Sequence, residues 1–174
     1  LNAQNTSDDG ELYPIEFKVN DVEDWTNANV ALEAVTVADA AALKTAVANG
    51  GDIRLTGDII LSAEGLSVDT NASIDLNGKT LTVLESNFVN NAKLIISNGT
   101  ISGSDTQLGR RAIVNKGELT MNNVTVAQVY EDGGSAINND GPTAVAILNN
   151  VTVVAENMAV SNKNGATMTI NGGS

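Results

Sequence analysis

The chain of 174 residues contains neither histidine nor cysteine, and both absences remove whole classes of chemistry. A Ser-His-Asp triad, a Cys-His pair, a disulfide and a zinc site with Cys or His ligands each need one of these residues. Aromatic residues are also scarce, with one Trp, two Tyr and two Phe. Small aliphatic residues therefore supply most of the apolar content, which at 42% is too high for a disordered chain.

Basic residues are few, and no long apolar run is present. Nine Lys and Arg stand against 21 Asp and Glu, which gives a formal net charge of −12. Binding to a phosphate backbone needs many Lys and Arg side chains, so we expect no nucleic-acid partner. No apolar run approaches the roughly 18 residues of a membrane-spanning helix, so we expect no membrane span.

Asparagine and glycine are abundant, with 23 Asn and 16 Gly. Both residues tolerate the left-handed backbone of tight turns, whereas the frequent Val, Ile and Thr favour strands. The composition therefore predicts many short strands joined by many turns.

The first 35 residues differ from the rest, because they hold eight acidic residues and only one basic residue, Lys18. Residues 1–10 are polar, and residues 12–19 alternate between polar and apolar as a strand does. We predict an acidic leader with one strand over residues 1–35. The chain shows no initiator Met and no signal segment, so we expect a trimmed or processed product of an exported protein.

Residues 36–51 predict one short helix, at about residues 39–49. Thr36 or Asp39 can cap its start, Leu43 and Val47 share a face, and Asn49 with two glycines ends it. A short Ala-rich helix suits a cap on the end of a larger structure.

From Gly51 onward the sequence repeats itself. The block Ile74–Leu81 recurs at 94–101, 119–126, 146–153 and 168–174. A shared Thr at 80, 100, 125 and 152 gives spacings of 20, 25 and 27 residues. A second strip precedes the later blocks, at 88–90, 113–115, 137–139 and 160–162. Such periods are typical of solenoids.

Two solenoids have periods of this length. Leucine-rich repeats need several Leu in each repeat, whereas the framework here mixes Ile, Val, Met and Leu without a helix in any repeat. A parallel β-helix over residues 36–174, with about five coils of 20–27 residues, fits better. Its predicted inward residues are Ile74, Leu76, Leu81, Leu94, Ile96, Ile101, Leu119, Met121, Val126, Ala146, Leu148 and Val153.

Three segments of the chain resemble a known class of proteins. They are the run Ala112–Gly117 (AIVNKG), the helix-then-strand segment 43–61 and the block Ile74–Leu81. They resemble right-handed parallel β-helix proteins of the pectate-lyase-like superfamily, and among these the bacterial cell-surface and adhesin-type repeats. The resemblance implies an all-β right-handed parallel β-helix with an N-terminal capping helix. That superfamily includes hydrolases with a catalytic His, which this chain lacks, and calcium-dependent polysaccharide lyases.

One candidate binding patch lies in the loops before the Ala-Ile strips. It consists of Arg110, Arg111, Tyr130, Glu131, Asp132 and Glu156. In the lyases that the resemblance suggests, carboxylates hold Ca²⁺ and a basic residue removes a proton. An exposed ladder of salt bridges explains the same residues, and we favour it because no cluster of carboxylates converges on the arginines. Asp58 and Asp75 are spaced too widely for a calcium loop and predict hydrogen bonds to turns or neighbouring coils.

Asparagines recur at two coil positions. Asn98, Asn123 and Asn150 share one position, and Asn90, Asn115, Asn139 and Asn162 occupy another. We predict left-handed turns and stacked side chains that hydrogen-bond between coils. Asn98, Asn123 and Asn150 also match the N-glycosylation motif, but the coil register explains these matches without a sugar.

Threonines at Thr80, Thr82, Thr167 and Thr169 form Thr-x-Thr pairs, as ice-binding faces do. The intervening repeats predict no sustained rank, so we do not favour ice binding.

These patterns predict a non-catalytic structural or adhesive module, secreted or tethered at a bacterial cell surface by a lipid attached upstream. A glycan or a surface protein is the expected partner, and the uncapped C-terminal coil predicts end-to-end self-association or a longer solenoid. We predict no metal and no cofactor. The alternatives are a calcium-dependent polysaccharide lyase that uses Arg110 or Arg111, and a carbohydrate-binding module that depends on Tyr130.

Overall fold

The computed structural model describes residues 33–62, 64–84, 87–104, 111–128 and 134–174. The predicted leader strand over 12–19 lies outside these ranges. The described residues form one helix, α1 (Ala40–Asn49), and fourteen strands. The strands are β1 (Val35–Val37), β2 (Gly51–Leu55), β3 (Ile59–Leu61), β4 (Leu66–Val68), β5 (Ala72–Asp75), β6 (Thr80–Leu84), β7 (Phe88–Asn90), β8 (Lys93–Ser104), β9 (Ile113–Asn115), β10 (Glu118–Gln128), β11 (Ser135–Asp140), β12 (Val145–Ala155), β13 (Met158–Lys163) and β14 (Thr167–Gly173).

The strands form two parallel sheets. The nine-stranded sheet runs β1-β2-β5-β8-β10-β12-β14, and it also holds β3 and β6, which pair with each other while β6 pairs with β8. The five-stranded sheet runs β13-β11-β9-β7-β4. Successive coils add one level to each sheet, so the chain forms a parallel β-helix of about five turns, as the repeat predicts.

Each of the long strands β8, β10 and β12 turns a corner at an asparagine. The first half of β8 pairs with β5 and its second half with β6, so the corner lies between them. Asn98, Asn123 and Asn150 stand at these corners with φ of 58°, 54° and 51°. Asn adopts this left-handed conformation at lower cost than most residues, because its short polar side chain can hydrogen-bond locally.

Aliphatic side chains fill the space between the sheets. Of the twelve predicted inward residues, all but Val153 are buried, and Val153 packs partly buried against the others. The prediction missed Val124 and Val151, which are also buried and directly follow the corner asparagines. The left-handed residue resets the alternation of inward and outward side chains, and this reset is why both valines point inward.

Helix α1 covers the N-terminal end of this core, and its predicted position is confirmed. The Asp39 Oδ1 accepts a hydrogen bond from the Ala42 N–H at 2.9 Å, which caps the helix start. Leu43, Ala46 and Val47 are buried, and the helix contacts β1 to β4. Gly50 ends the helix with φ of 74°, and a Cβ there would lie 2.7 Å from the Asn71 carbonyl oxygen. The chain therefore leaves the helix where only glycine fits.

The coil of β13 and β14 lies farthest from α1. Among the described strands, β14 pairs only with β12 and β13 only with β11, so each has one unpaired edge. Ile170 is level with the buried Leu148 but is itself 60% exposed. This coil therefore presents an apolar side chain and free backbone groups at its outer edge.

Candidate functional site

An inner ladder of four asparagines, Asn90, Asn115, Asn139 and Asn162, connects four successive coils. Each Nδ2 donates to the Oδ1 of the next asparagine, at 2.7 Å, 2.7 Å and 2.8 Å in order along the chain. Asn90, Asn115 and Asn139 are fully buried at the end of the five-stranded sheet. Asn162, in the coil farthest from α1, is exposed. Water therefore does not compete for the amides of the first three asparagines.

The same amides also bind the backbone on both sides. Asn115 Nδ2 contacts the Gly117 carbonyl oxygen in its own turn and the Val145 carbonyl oxygen in the next coil, both at 3.0 Å. Asn90 makes the equivalent contacts to Ala92 and Glu118. A buried amide without partners is costly, by about 1–3 kcal/mol for each group. The ladder therefore fixes how each turn stacks on the next.

A second set of asparagines lies on the outside of the solenoid. Asn171 Nδ2 donates to Asn149 Oδ1 and Asn149 Nδ2 to Asn122 Oδ1, both at 2.8 Å. At the adjacent corner position, Asn150 Nδ2 donates to Asn123 Oδ1 at 2.9 Å. The outer ladder of Asn122, Asn149 and Asn171 was not predicted, although the tandem Asn-Asn pairs at 122–123 and 149–150 carried the signal.

Only part of the predicted binding patch can be located. Arg110, Tyr130, Glu131 and Asp132 lie outside the described residues, whereas Arg111 and Glu156 lie within them. Arg111 is half-buried and stands two residues before Ile113. Glu156 is exposed and stands four residues before Val160. Val160 pairs with Ile137, which in turn pairs with Ile113, so Val160 and Ile113 occupy the same position in their coils. Glu156 is therefore two positions earlier in its coil than Arg111.

Asn138 Oδ1 and three other buried side-chain atoms have no hydrogen-bond partner among the described residues, and those three lie on the segments that flank these loops. They are Arg111 Nε, Gln128 Oε1 and Ser135 Oγ. Gln128 is level with Gly103, and a Cβ at Gly103 would lie only 2.0 Å from the Gln128 oxygen. Gln128 and Ser135 were not predicted, because their burial depends on how neighbouring coils stack.

The acidic side chains of the first coils bind their neighbours, as predicted for Asp58 and Asp75. Asp58 Oδ1 accepts a hydrogen bond from the Thr80 N–H one coil on, at 2.8 Å. Asp75 Oδ1 accepts from the Asn77 N–H and Asn98 Nδ2, and its Oδ2 lies 3.7 Å from Arg54 Nε. Across the described ranges, no three acidic side chains converge closely enough to hold a metal ion.

Among the described residues, two carboxyl groups have lowered pKa values, those of Asp140 and Glu64. A hydrogen bond from Asn164 is the main cause that lowers the pKa of Asp140, and bonds from Lys163 and Asn138 add to it against partial desolvation. A hydrogen bond from Lys44 and its charge lower the pKa of the exposed Glu64. Both shifts favour the ionised carboxylate.

A column of hydroxyl groups runs across β6 and across the parts of β8, β10 and β12 that follow their corner asparagines. Thr80, Thr100, Thr125 and Thr152 are level with one another, and Ser174 Oγ lies 3.3 Å from Thr152 Oγ1. This column is the shared Thr of the sequence repeat, but a rank of Thr-x-Thr pairs needs a second column beside it, and the expectation that no such rank is sustained is confirmed. The neighbouring column has hydroxyl groups only at Thr82 and Ser102. Its other members are Ile60, Ala127 and Val154.

A groove opens where the chain passes from the five-stranded to the nine-stranded sheet. The turns 91–92 and 116–117 each join their strands with two residues, whereas the next turn spans four, residues 141–144. The groove between them has a volume of about 410 Å³. Its lining residues are Asn71, Asn91, Ala92, Lys93, Lys116, Gly117, Glu118 and Thr143.

The small lining residues Ala92 and Gly117 are half-buried, whereas the charged ones, Lys93, Lys116 and Glu118, are exposed. A Cβ on Gly117 would lie 2.2 Å from the Ala92 carbonyl oxygen, so the two turns touch backbone to backbone. Lys93 is directly level with Glu118, but neither Lys93 nor Lys116 forms a salt bridge with any described residue. A smaller hollow shares Asn71 and Lys93 and extends the groove along β2, β5 and β8.

The chain matches none of the protein families, curated proteins or solved structures with which it was compared. Within the described ranges, no helix is long and apolar enough to cross a membrane.

Proposed function

We propose that this chain is a non-catalytic structural or adhesive module, in which a stiff β-helix displays a polar lateral surface. The observation that carries the proposal is the inner ladder, which joins four coils through amide bonds of 2.7–2.8 Å and has three of its four asparagines fully buried. A coil can separate from its neighbour only if these amides lose their partners in a site without water. The lateral surface therefore keeps a fixed geometry over the four coils that the ladder joins.

The setting proposed for this module is the outside of a bacterial cell, where it is secreted or tethered. Its coils are proposed to be right-handed and related to the pectate-lyase-like superfamily and its adhesin-type repeats, through the motif Ala112–Gly117. A glycan or a surface protein is the proposed partner.

Hydrogen exchange tests the stiffness. We expect amides from β7 to β13 to be protected to a similar degree, because one ladder links their coils. Rapid exchange confined to single coils would contradict a rigid module.

Incubation with polygalacturonate or alginate in the presence of Ca²⁺ tests the absence of catalysis. We expect no rise in the ultraviolet absorbance that unsaturated uronates produce. A calcium-dependent signal that an Arg110→Ala, Arg111→Ala double variant loses would establish the lyase alternative instead.

The exposed Ile170 and the unpaired edge of β14 support a second proposal, end-to-end association of two copies. Sedimentation velocity should show a concentration-dependent dimer that Ile170→Lys abolishes. Ile147→Lys is the control, since Ile147 is an exposed apolar residue of β12 that is level with Thr120 on one side and Thr169 on the other. A monomer at all concentrations would exclude this association.

A further inference from the structure

We infer that Asn164 is a site of spontaneous covalent modification, at which its side chain closes a ring with Gly165 and releases ammonia. The inference goes beyond the proposed function, because it concerns a reaction of the chain itself and needs no ligand. Asparagine is a thermolabile residue, and a glycine after it leaves the attacking backbone nitrogen unhindered by a side chain. The sequence contains this Asn-Gly pair five times, at 49–50, 77–78, 98–99, 164–165 and 171–172.

Two of these pairs occupy the same kind of turn. In each, the N–H of the residue after the pair donates to the carbonyl oxygen of the residue before it, at 2.8 Å for the pair 77–78 and 3.2 Å for the pair 164–165. Both residues of each pair have positive φ, 52° and 74° in the first and 56° and 83° in the second. These are type I′ turns, in which Asn-Gly is strongly preferred. The two pairs therefore share a backbone shape, and their hydrogen bonds distinguish them.

The turn at 77–78 is held by hydrogen bonds on both reacting groups. The Gly78 N–H donates to the Asn98 carbonyl oxygen at 2.6 Å. Asn77 Nδ2 donates to the Leu55 carbonyl oxygen at 3.0 Å, and Asn77 Oδ1 accepts from Arg54 Nη2 at 2.7 Å. The ring closes only when the glycine nitrogen reaches the asparagine Cγ, so these bonds must break first. This pair is therefore protected.

The turn at 164–165 leaves the attacking nitrogen free. Both residues are exposed, and the Gly165 N–H has no backbone acceptor among the described residues. Asn164 Nδ2 donates to Asp140 Oδ1 at 2.6 Å, and this is the one hydrogen bond that its amide makes to a described residue. Only one side-chain bond therefore has to break before the ring closes.

The reaction balances with water as its only co-reactant. First, the Gly165 nitrogen bonds to the Asn164 Cγ, the Cγ–Nδ2 bond breaks, and the proton of the glycine amide leaves with Nδ2 as ammonia. Water then opens the resulting succinimide ring at either of its two carbonyl groups, which gives aspartate or isoaspartate. The chain thus exchanges one NH for one oxygen atom and gains a carboxylate.

The modification acts on a contact between coils. Asp140 ends β11 and Asn164 directly follows β13, so their hydrogen bond joins two adjacent coils. The product presents a carboxylate to Asp140 in place of an amide donor, and two carboxylates repel each other. Isoaspartate also adds one atom to the main chain between β13 and β14. The coil that carries the exposed Ile170 should therefore become more loosely attached.

Incubation of the full chain at mildly alkaline pH, followed by peptide mapping with mass spectrometry, tests this inference. We expect Asn164 to convert about tenfold faster than Asn77, the order set by one or two additional hydrogen bonds. Asn164→Gln should abolish the conversion, because glutamine closes a larger ring more slowly. Asn77→Gln is the matched control and should leave the rate at Asn164 unchanged. Asp140→Ala should increase that rate several-fold, because it frees the amide.

The urea-unfolded chain separates the effect of the fold from that of the local sequence. In urea both pairs should convert at similar rates, since their hydrogen bonds are lost. The inference is overturned if folded Asn164 does not convert, if folded Asn77 converts as fast, or if the difference between them persists in urea.

Hydrogen exchange tests the expected loosening of the coil. Asn164→Asp reproduces the aspartate product, and its β14 amides should exchange several-fold faster than those of the parent chain. The incubated parent chain should show the same increase in proportion to its converted fraction. Unchanged exchange in both samples would show that the modification has no effect on the coil.

Discussion

The inner and outer asparagine ladders use the same side chain and the same bond but lie in different surroundings. Inner bonds of 2.7–2.8 Å and outer bonds of 2.8 Å are nearly equal in length. Asn115 is fully buried, whereas Asn149 is half-buried and Asn171 exposed. Water can replace a lost partner on the outside but not on the inside. Burial rather than bond length should therefore decide what each ladder contributes to stability.

The largest difference is expected from the inner substitution Asn115→Ala. It removes the acceptor of Asn90 Nδ2 and the donor to Asn139 Oδ1, and it leaves a buried gap. We expect the free energy of unfolding to fall by about 3 kcal/mol, because buried polar groups lose their partners. Urea denaturation followed by circular dichroism measures this loss. A loss below about 1 kcal/mol would show that burial does not separate the two ladders.

A smaller effect is expected at the corner residue Asn123. Its φ of 54° lies in the left-handed region, which costs alanine about 1 kcal/mol or more. Asn123→Ala should therefore destabilise the fold by about that amount, and Asn123→Gly by less, since glycine tolerates this conformation. Both variants lose the bond from Asn150, so the difference between them isolates the backbone strain. Equal losses in the two variants would assign the effect to the side-chain bond instead.

The outer substitution Asn149→Ala should change stability least among the asparagine variants. It removes two bonds, to Asn122 and from Asn171, as Asn115→Ala removes two rungs of the inner ladder. Because water can satisfy the freed groups, we expect a loss within about 0.5 kcal/mol. The same urea titration provides the comparison. A loss that matched Asn115→Ala would mean that stacking itself, not burial, gives the ladders their strength.

The smallest expected effect is on how the stability of the fold changes at acidic pH. The pKa of Asp140 is below its ordinary value of 3.8, so its ionised form stabilises the fold above that value, and this stabilisation is lost as pH falls through the lowered pKa. Asp140→Asn should therefore make the urea midpoint fall less steeply between neutral and strongly acidic pH. Asn164→Ala keeps the carboxyl but removes its main hydrogen-bond donor, so it should have a similar effect. An unchanged acid slope in both variants would exclude this contribution.

Features that each coil encodes by itself were predictable from the sequence. The alternation of Leu94 and Ile96 and the left-handed Asn98 follow from residues within a few positions of one another. Their repetition then gave the parallel β-helix. The capping helix was predictable for the same reason, since Asp39 and Gly50 mark its ends locally. The left-handed turns predicted for Asn90, Asn115, Asn139 and Asn162 are wrong, because these residues lie within β7, β9, β11 and β13 and point their amides inward instead.

Features that depend on the offset between coils were not predictable. The groove takes its lining from several coils, among them Thr143 in the long turn 141–144 and Gly117, which lies close to Ala92 one coil earlier. The burial of Gln128 likewise depends on the missing side chain of Gly103 one coil earlier. A linear pattern shows the length of each turn but not which side chains that length brings together.

The inner ladder also has a consequence for how a solenoid of this kind can gain coils during evolution. Every rung donates in the same direction, from Asn90 through Asn115 and Asn139 to Asn162. A duplicated coil inserted between two others would accept a bond from the coil before it and donate one to the coil after it. The rod could therefore lengthen during evolution in steps of about 4.8 Å without any new kind of contact.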